Sequence, residues 1–279
     1  MAKDIALDPN RKLPYAETGN ATYDAQGFLA PIDLFGEAEA ADLRRYFDVL
    51  IHAVVNADDP RNSYSINCYH LVCERIYEMA LDPRVLDRVE ALLGPDFVLW
   101  GTHVFAKLPG DGKEVPLHQD AVYWPFTTAR TATVWYAIDD VDDDNGAMHF
   151  VPGSHRDGPL PHDMLELDGT RVLGRRVSNA AQYDDNHYVN ALRAGQASIH
   201  SDLLLHGSRA NTSERRRAGM TLRFAAADVT VEPGWEHWLG PSVHARGEIP
   251  ERWPNRRRPN GERPERMAEF FGEFDGIAV

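Results

Sequence analysis

His118 and Asp120 stand two residues apart in Pro116-Leu117-His118-Gln119-Asp120. On an extended strand such neighbours leave the same face, so an imidazole and a carboxylate project side by side. The pair can fill two adjacent positions of an octahedral metal. A third ligand from elsewhere completes a 2-His-1-carboxylate face and leaves the opposite side open for non-haem Fe(II) chemistry. Alone, a three-residue pattern arises often by chance. A second half makes it specific: His206 follows Leu203-Leu204-Leu205 and precedes Gly207-Ser208, as a ligand closing an apolar strand at a barrel mouth would. The plainer alternative is a core histidine with a satisfied ring. Eleven residues later, Arg217 ends the run Arg215-Arg216-Arg217. An arginine there can reach back beside a metal and grip a carboxylate through two parallel bonds, which lysine does less well. Otherwise such a run is an ordinary solvated turn.

The elements that must hold these groups are legible in outline. Leu43, Phe47, Leu50 and Val54 recur at steps of three and four, which predicts a helix over 36–56. Residues 58–63 are polar and contain proline, so a loop follows. Asp82-Pro83 opens a second helix, with proline at its first position and Gly94 beyond its last apolar turn. From Phe97 the pattern turns to strands, expected over 97–108, 131–139, 196–206 and 220–231. That spacing suggests a sandwich or double-stranded barrel. Residues 241–261 read as loop, and 265–274 as a short capping helix. No domain boundary is evident. The expected organisation is one domain over 1–279: a helical or irregular part to about 96, a β core over 97–231 and a tail over 232–279.

Lys and Arg number 29 against 43 Asp and Glu, a net charge of −14. This argues against a nucleic-acid partner, which selects a basic stripe, and leaves room for a small anionic substrate in a cleft of opposite field. No run of 18 apolar residues exists to span a membrane. The charged start lacks an apolar signal region. Cys68 and Cys73 read as reduced, buried thiols, so a cytoplasmic protein is expected. The oligomeric state is not legible.

The chain resembles the phytanoyl-CoA dioxygenase-like family of Fe(II)/2-oxoglutarate oxygenases. The resemblance is carried by Leu117-His118-Gln119-Asp120-Ala121, Asp144-Asn145-Gly146-Ala147-Met148, Val151-Pro152-Gly153-Ser154-His155 and His206-Gly207-Ser208 with Asn211 and Arg217. It implies a mainly β fold with helices: a double-stranded β-helix (jelly roll, cupin-like) core with N-terminal supporting helices. It further implies that His118, Asp120 and His206 bind Fe(II). Arg217 would hold the distal carboxylate of 2-oxoglutarate, helped by Ser208, Lys107 or Thr133, with O2 as the other co-substrate. A carboxylate at Asp120 blocks the position where related halogenases admit chloride, so hydroxylation is expected. Asn145-Gly146 and Pro152-Gly153-Ser154-His155 read as tight turns without a catalytic part. His103, His149 and His200 read as buried and hydrogen-bonded.

The stretch from Lys107 to Trp124 also resembles the branch that hydroxylates small organophosphonates next to phosphorus. Examples are 2-aminoethylphosphonate and its trimethylammonium analogue. Tyr123 and Trp124 would then offer an aromatic face to a quaternary ammonium, while Arg61, Asn62, Asn67 and His70 would offer donors to an oxyanion. Fatty acyl-CoA fits an acidic chain less well. The rival readings are a hydroxylase of another small metabolite or acyl substrate, a metal-dependent hydrolase or isomerase on the same barrel, and a binding barrel without turnover. Arg217 separates them, because hydrolysis needs no clamp for 2-oxoglutarate.

Overall fold

The structure, a computed structural model, describes residues 13, 15–55, 66–166 and 169–270. Two antiparallel sheets form the frame. The larger runs in the order Phe28–Asp33, Gln196–His200, Thr131–Ala137, Arg217–Ala226, Phe97–Lys107, Val243–Arg246, and Ile66–Asn67 also pairs with the Phe97–Lys107 strand. The smaller orders Val115–His118, His206–Ser208, Met148–Phe150 and Tyr188–Val189. This is the expected double-stranded barrel.

Every residue of Thr131–Ala137 and Arg217–Ala226 is buried. These strands are covered on both faces, and the period of two sorts them. Val134, Tyr136, Met220, Leu222 and Phe224 join the large apolar cluster that also holds the helices. Thr133, Trp135, Arg217, Thr221 and Arg223 turn the other way and line a cavity between the sheets.

The helical layer follows from local chemistry. Glu37–Val55 buries Leu43, Phe47, Leu50 and Val54, the predicted face. Pro83–Leu93 starts with Asp82 accepting from the Arg84 amide, carries Pro83 in its first turn, and ends at Gly94 with φ of 87°. Sequence reading missed Ala21–Gln26 and Glu74–Ala80, which are too short to show a clear period. The tail expected as a capping helix forms a 3-10 turn over Pro264–Phe270.

Two expectations need correction. Residues 196–206 are not one strand: Gln196–His200 belongs to the large sheet and His206–Ser208 to the small one, with the chain turning between them. Leu203, Leu204 and Leu205 are buried in three different clusters at that turn. Nor do His118 and Asp120 share a strand. Val115–His118 ends at the histidine, and Asp120 opens a short 3-10 turn, Asp120–Val122.

Candidate metal and co-substrate site

His118 and His206 sit directly opposite each other on neighbouring strands of the small sheet, with ring centroids 4.3 Å apart. Each ring donates its Nδ1–H to the carbonyl two residues earlier, His118 to Pro116 at 2.8 Å and His206 to Leu204 at 3.0 Å. A carbonyl can only accept, so the tautomer is set and each Nε2 lone pair faces the cavity. Asp120 completes the group: its Oδ1 lies 3.5 Å from His118 Nε2 and 3.8 Å from His206 Nε2. The ligand atoms of the three side chains fall within 4.8 Å of one another, and all three residues are buried.

Gln119 explains how the turn brings Asp120 round after the strand has ended. Its buried amide donates to the Gly158 and Leu203 carbonyls, and its Oε1 accepts from the Leu160 amide. Electrostatics suit a cation. Burial alone would raise the Asp120 carboxyl, but the rings of His206, His118 and His200 and the Arg223 charge outweigh it and hold it well below the usual range. Burial and the neighbouring His118 push His206 down to about 3, so it is a neutral ligand at working pH.

At one end of the cavity is Arg217, 3% exposed. The run Arg215-Arg216-Arg217 is divided rather than solvated throughout. Arg215 pairs with Asp142, Arg216 pairs with Asp139 and Asp48, and Arg217 turns inward. Its Nε and Nη2 both donate to the Gly146 carbonyl, at 3.0 and 2.8 Å, and its Cζ lies 5.3 Å from the centre of the Trp135 ring. The Asn145-Gly146 turn therefore does more than turn: it aims the guanidinium. Asn211 tethers the approach to this strand by donating to the Lys107, Leu108 and Arg215 carbonyls. Burial lowers the Arg217 pKa only to about 10, so the charge persists.

Ser208 lines the same cavity, and its buried hydroxyl has no hydrogen-bond partner among the described residues. An unspent hydroxyl and a pinned guanidinium fit a carboxylate, which answers the requirement of 2-oxoglutarate. Lys107, directly opposite Arg217 in the sheet, donates to the Ser208 and Arg209 carbonyls. Burial and the Arg217 charge push it down to about 6. Thr133 also lines the cavity with an unspent hydroxyl, but the sheet register sets it opposite Arg223 rather than Arg217.

The trimming of Gly219 makes room for this arrangement. A Cβ built there would come within 1.9 Å of the Trp135 ring. Gly219→Ala should force that indole aside and cost about 1–3 kcal/mol of stability, as overpacking does. Urea unfolding midpoints measure this, and an unchanged midpoint would mean the ring moves without cost.

The expected substrate residues fare differently. Tyr123 stands with its ring 5.8 Å from that of His118, and the Arg175 guanidinium lies 5.4 Å from its centre. Trp124 is not at the approach. It is 1% exposed, packed edge-on to Trp100 and Phe126, with Arg223 5.3 Å from its ring. Both rings already carry an arginine, so they make no box for a quaternary ammonium. Asn67 pairs with His103 on a neighbouring strand and does not line the cavity. Arg61 and Asn62 lie outside the described residues.

His70 also lies away from the cavity, fully buried, bonded to the Thr102 hydroxyl and the Pro241 carbonyl. Burial pushes its pKa from 6.5 down to about 4. Below pH 6.5 the unfolded chain therefore takes this proton first, and stability falls as pH drops toward 4. The loss is roughly 3 kcal/mol over that window. His70→Gln should shrink the drop in unfolding free energy between pH 7.5 and pH 4.5 by about that amount. Equal drops in variant and wild type would assign the acid sensitivity elsewhere.

Two groups that sequence reading left out of the site now stand at it. His200 Nε2 lies 3.8 Å from Asp120 Oδ2, and Arg223 lines the cavity beyond. For His200 a signal existed in its spacing from His206. Arg223 gave none beyond standing six residues past Arg217 on one strand. His155 is not a fourth ligand: it packs against Tyr15 and bonds the Asp24 carbonyl.

The barrel thus carries two histidines and a carboxylate together on its inner wall, with a buried arginine lining the same cavity. The profile of the family described as Phytanoyl-CoA dioxygenase (PhyH) matches residues 23–219, and the chain belongs to that family. It is 32% identical over 165 residues to the peroxisomal phytanoyl-CoA dioxygenase of Bos taurus, covering 56% of this chain and 47% of that protein. A probable alpha-ketoglutarate-dependent hypophosphite dioxygenase of Stutzerimonas stutzeri is 28% identical over 161 residues, covering 57% of this chain and 56% of that one. The chain thus spans about half the length of curated relatives that it matches. Among solved structures, the apo form of a non-haem monooxygenase, ThoJ, superposes with a TM-score of 0.74 at 25% identity, covering 91% of this chain and 93% of that one. No helix among the described residues is long and apolar enough to cross a membrane.

Proposed function

We propose that this protein is an Fe(II)- and 2-oxoglutarate-dependent dioxygenase that hydroxylates a small polar substrate, best matched by an organophosphonate such as 2-aminoethylphosphonate at the carbon next to phosphorus. One observation carries the class: three buried ligand atoms within 4.8 Å share a cavity with an inward arginine whose aim is fixed by the Gly146 carbonyl. A hydrolase would use the triad but leave that arginine without work.

In this reading His118, Asp120 and His206 hold Fe(II), and bound iron with 2-oxoglutarate and O2 supplies the oxidising chemistry. Arg217 fixes the far carboxylate of the co-substrate, with Ser208 donating beside it. The two Nδ1 hydrogen bonds keep both imidazoles in the ligating tautomer. Phe105, Trp135, Met148 and Leu173 give the cavity apolar walls that exclude water from the reacting centre.

The phosphonate choice is supported by the likeness to the hypophosphite dioxygenase and by the arginines around the cavity. The trimethylammonium analogue is the weaker candidate, because the rings of Tyr123 and Trp124 are occupied. Succinate release in the presence of Fe(II), 2-oxoglutarate and O2, measured across phosphonates, amino acids and short acyl substrates, tests the choice. Succinate formed one-for-one with a hydroxyphosphonate supports it. Coupled turnover with a phosphorus-free substrate alone would replace it.

A further inference from the structure

A two-stranded ribbon is separate from the barrel sheets. His162–Met164 pairs antiparallel with Arg175–Val177, His162 opposite Val177 and Met164 opposite Arg175. The ribbon and the chain leading into its strands bond the segment that carries His118 and Asp120 at three places. At the start, the Glu114 amide donates to the Thr170 carbonyl and the Val172 amide donates to the Glu114 carbonyl, both at 3.0 Å. Before the turn, the Gln119 amide donates to His162 Nε2 at 3.2 Å. At its end, Arg175 Nη1 donates to the Val122 carbonyl at 2.8 Å, with its Cζ 5.4 Å from the Tyr123 ring centre.

One tautomer of His162 satisfies these bonds. Its Nδ1 lies 2.8 Å from the Leu160 carbonyl, which can only accept, so Nδ1 carries the proton and Nε2 offers a lone pair to the Gln119 amide. Burial pushes the ring down to about 4, which keeps it neutral. Leu160 in turn donates its amide to Gln119 Oε1. A closed loop of three bonds thus joins Gln119 to the foot of the ribbon. The ligands differ in how far they depend on it. His118 and His206 are held by direct pairing of their strands. Asp120 lies past the end of Val115–His118, in a turn flanked by two backbone groups, the Gln119 amide and the Val122 carbonyl, that are both bonded to the ribbon. Gln119 is fully buried, and a buried amide stripped of its acceptor is costly, so these bonds fix where the turn stands.

We propose that the ribbon is a clamp on the ligand segment, with His162 and Arg175 as positioning residues that set the place of Asp120 at the metal. This rests on the reading of His118, Asp120 and His206 as the ligand set. Val172 and Leu173, just before the second strand of the ribbon, line the cavity, so the clamp also faces the reactants.

Calorimetric titration of the metal-free full chain with Ni(II), which binds such sites more tightly than Fe(II), tests this. His162→Phe removes the acceptor, and Arg175→Met removes the donor at similar length. Each should weaken Ni(II) binding by about 10-fold or more, the range for loss of an outer partner of a metal ligand. His162→Gln, whose Oε1 can take the same amide, and Arg175→Lys, which keeps a donor, should recover most of that loss. Reciprocity supplies a second measurement that needs no variant, because an ion held through a clamp must tighten the clamp. Ni(II) should slow hydrogen exchange at the amides of Glu114, Gln119, Leu160 and Val172 by at least about fivefold, and at those of the Glu37–Val55 helix by less. Exchange carries the test if the variants do not fold. Unchanged Ni(II) affinity in either folded variant, His162→Phe or Arg175→Met, overturns the clamp. So does an equal loss in the two conservative variants, or exchange at the four amides that Ni(II) slows no more than in the helix. Failure of the wild type to bind Ni(II) at all is a different result: it removes the ligand set, and the clamp with it.

Discussion

His206→Ala is expected to lower Fe(II) affinity by at least about 100-fold and to abolish 2-oxoglutarate turnover. Loss of an outer hydrogen-bond partner alone commonly costs 10- to 100-fold in metal affinity, and here a ligand itself is removed. The remaining pair, His118 and Asp120, comes from one short strand and turn and closes no face. Anaerobic addition of 2-oxoglutarate to Fe(II)-loaded protein reads the result directly, through the weak visible charge-transfer band of the chelated metal. Wild type should develop the band and the variant should not. An undiminished band in His206→Ala would take this histidine out of the ligand set.

Arg217→Ala should retain iron but raise the KM for 2-oxoglutarate by roughly 30- to 5000-fold. Removing one partner of a buried, charge-assisted pair costs about 2–5 kcal/mol, because the other charge is left desolvated. Arg217→Lys should recover little. The native side chain spends its Nε–H and one Nη2–H on the Gly146 carbonyl and has further N–H groups to offer, a division a single ammonium cannot make. Steady-state kinetics against 2-oxoglutarate decide it. A KM within about twofold of wild type in Arg217→Ala would mean that another group holds the co-substrate, with Lys107 next in line.

The clustering of His118, Asp120 and His206 and the inward Arg217 were legible because the proposed chemistry restricts which residue types can stand there. The barrel was legible because residues 97–231 hold several segments rich in β-branched and aromatic residues, separated by turns. Much of the rest depended on backbone turns that no local pattern announces. Asp120 reaches the cavity through a 3-10 turn held by Gln119, so the face-sharing argument from a strand reached the right pair by the wrong geometry. The same turn throws Trp124 into the core, where the resemblance to the phosphonate-hydroxylating branch had set it against the substrate. Likewise His200 and His206 come together from two different sheets, with ring centroids 4.9 Å apart, although the intervening chain is no strand. His70 and Asn67 could be placed only by contacts distant in sequence, such as the Pro241 carbonyl that fixes His70.

The paired ring hydrogen bonds of His118 and His206 run to carbonyls of their own chain segments and owe nothing to the ion. Ring orientation and tautomer are therefore set by the fold itself, unlike those in small domains that metal must fold. A site of this kind would not select its ion by folding around it, so its occupant among divalent ions of suitable size would follow abundance and the Irving–Williams order. The proportion of such protein carrying iron is then set by supply, so its working capacity follows the metal economy around it rather than its own abundance.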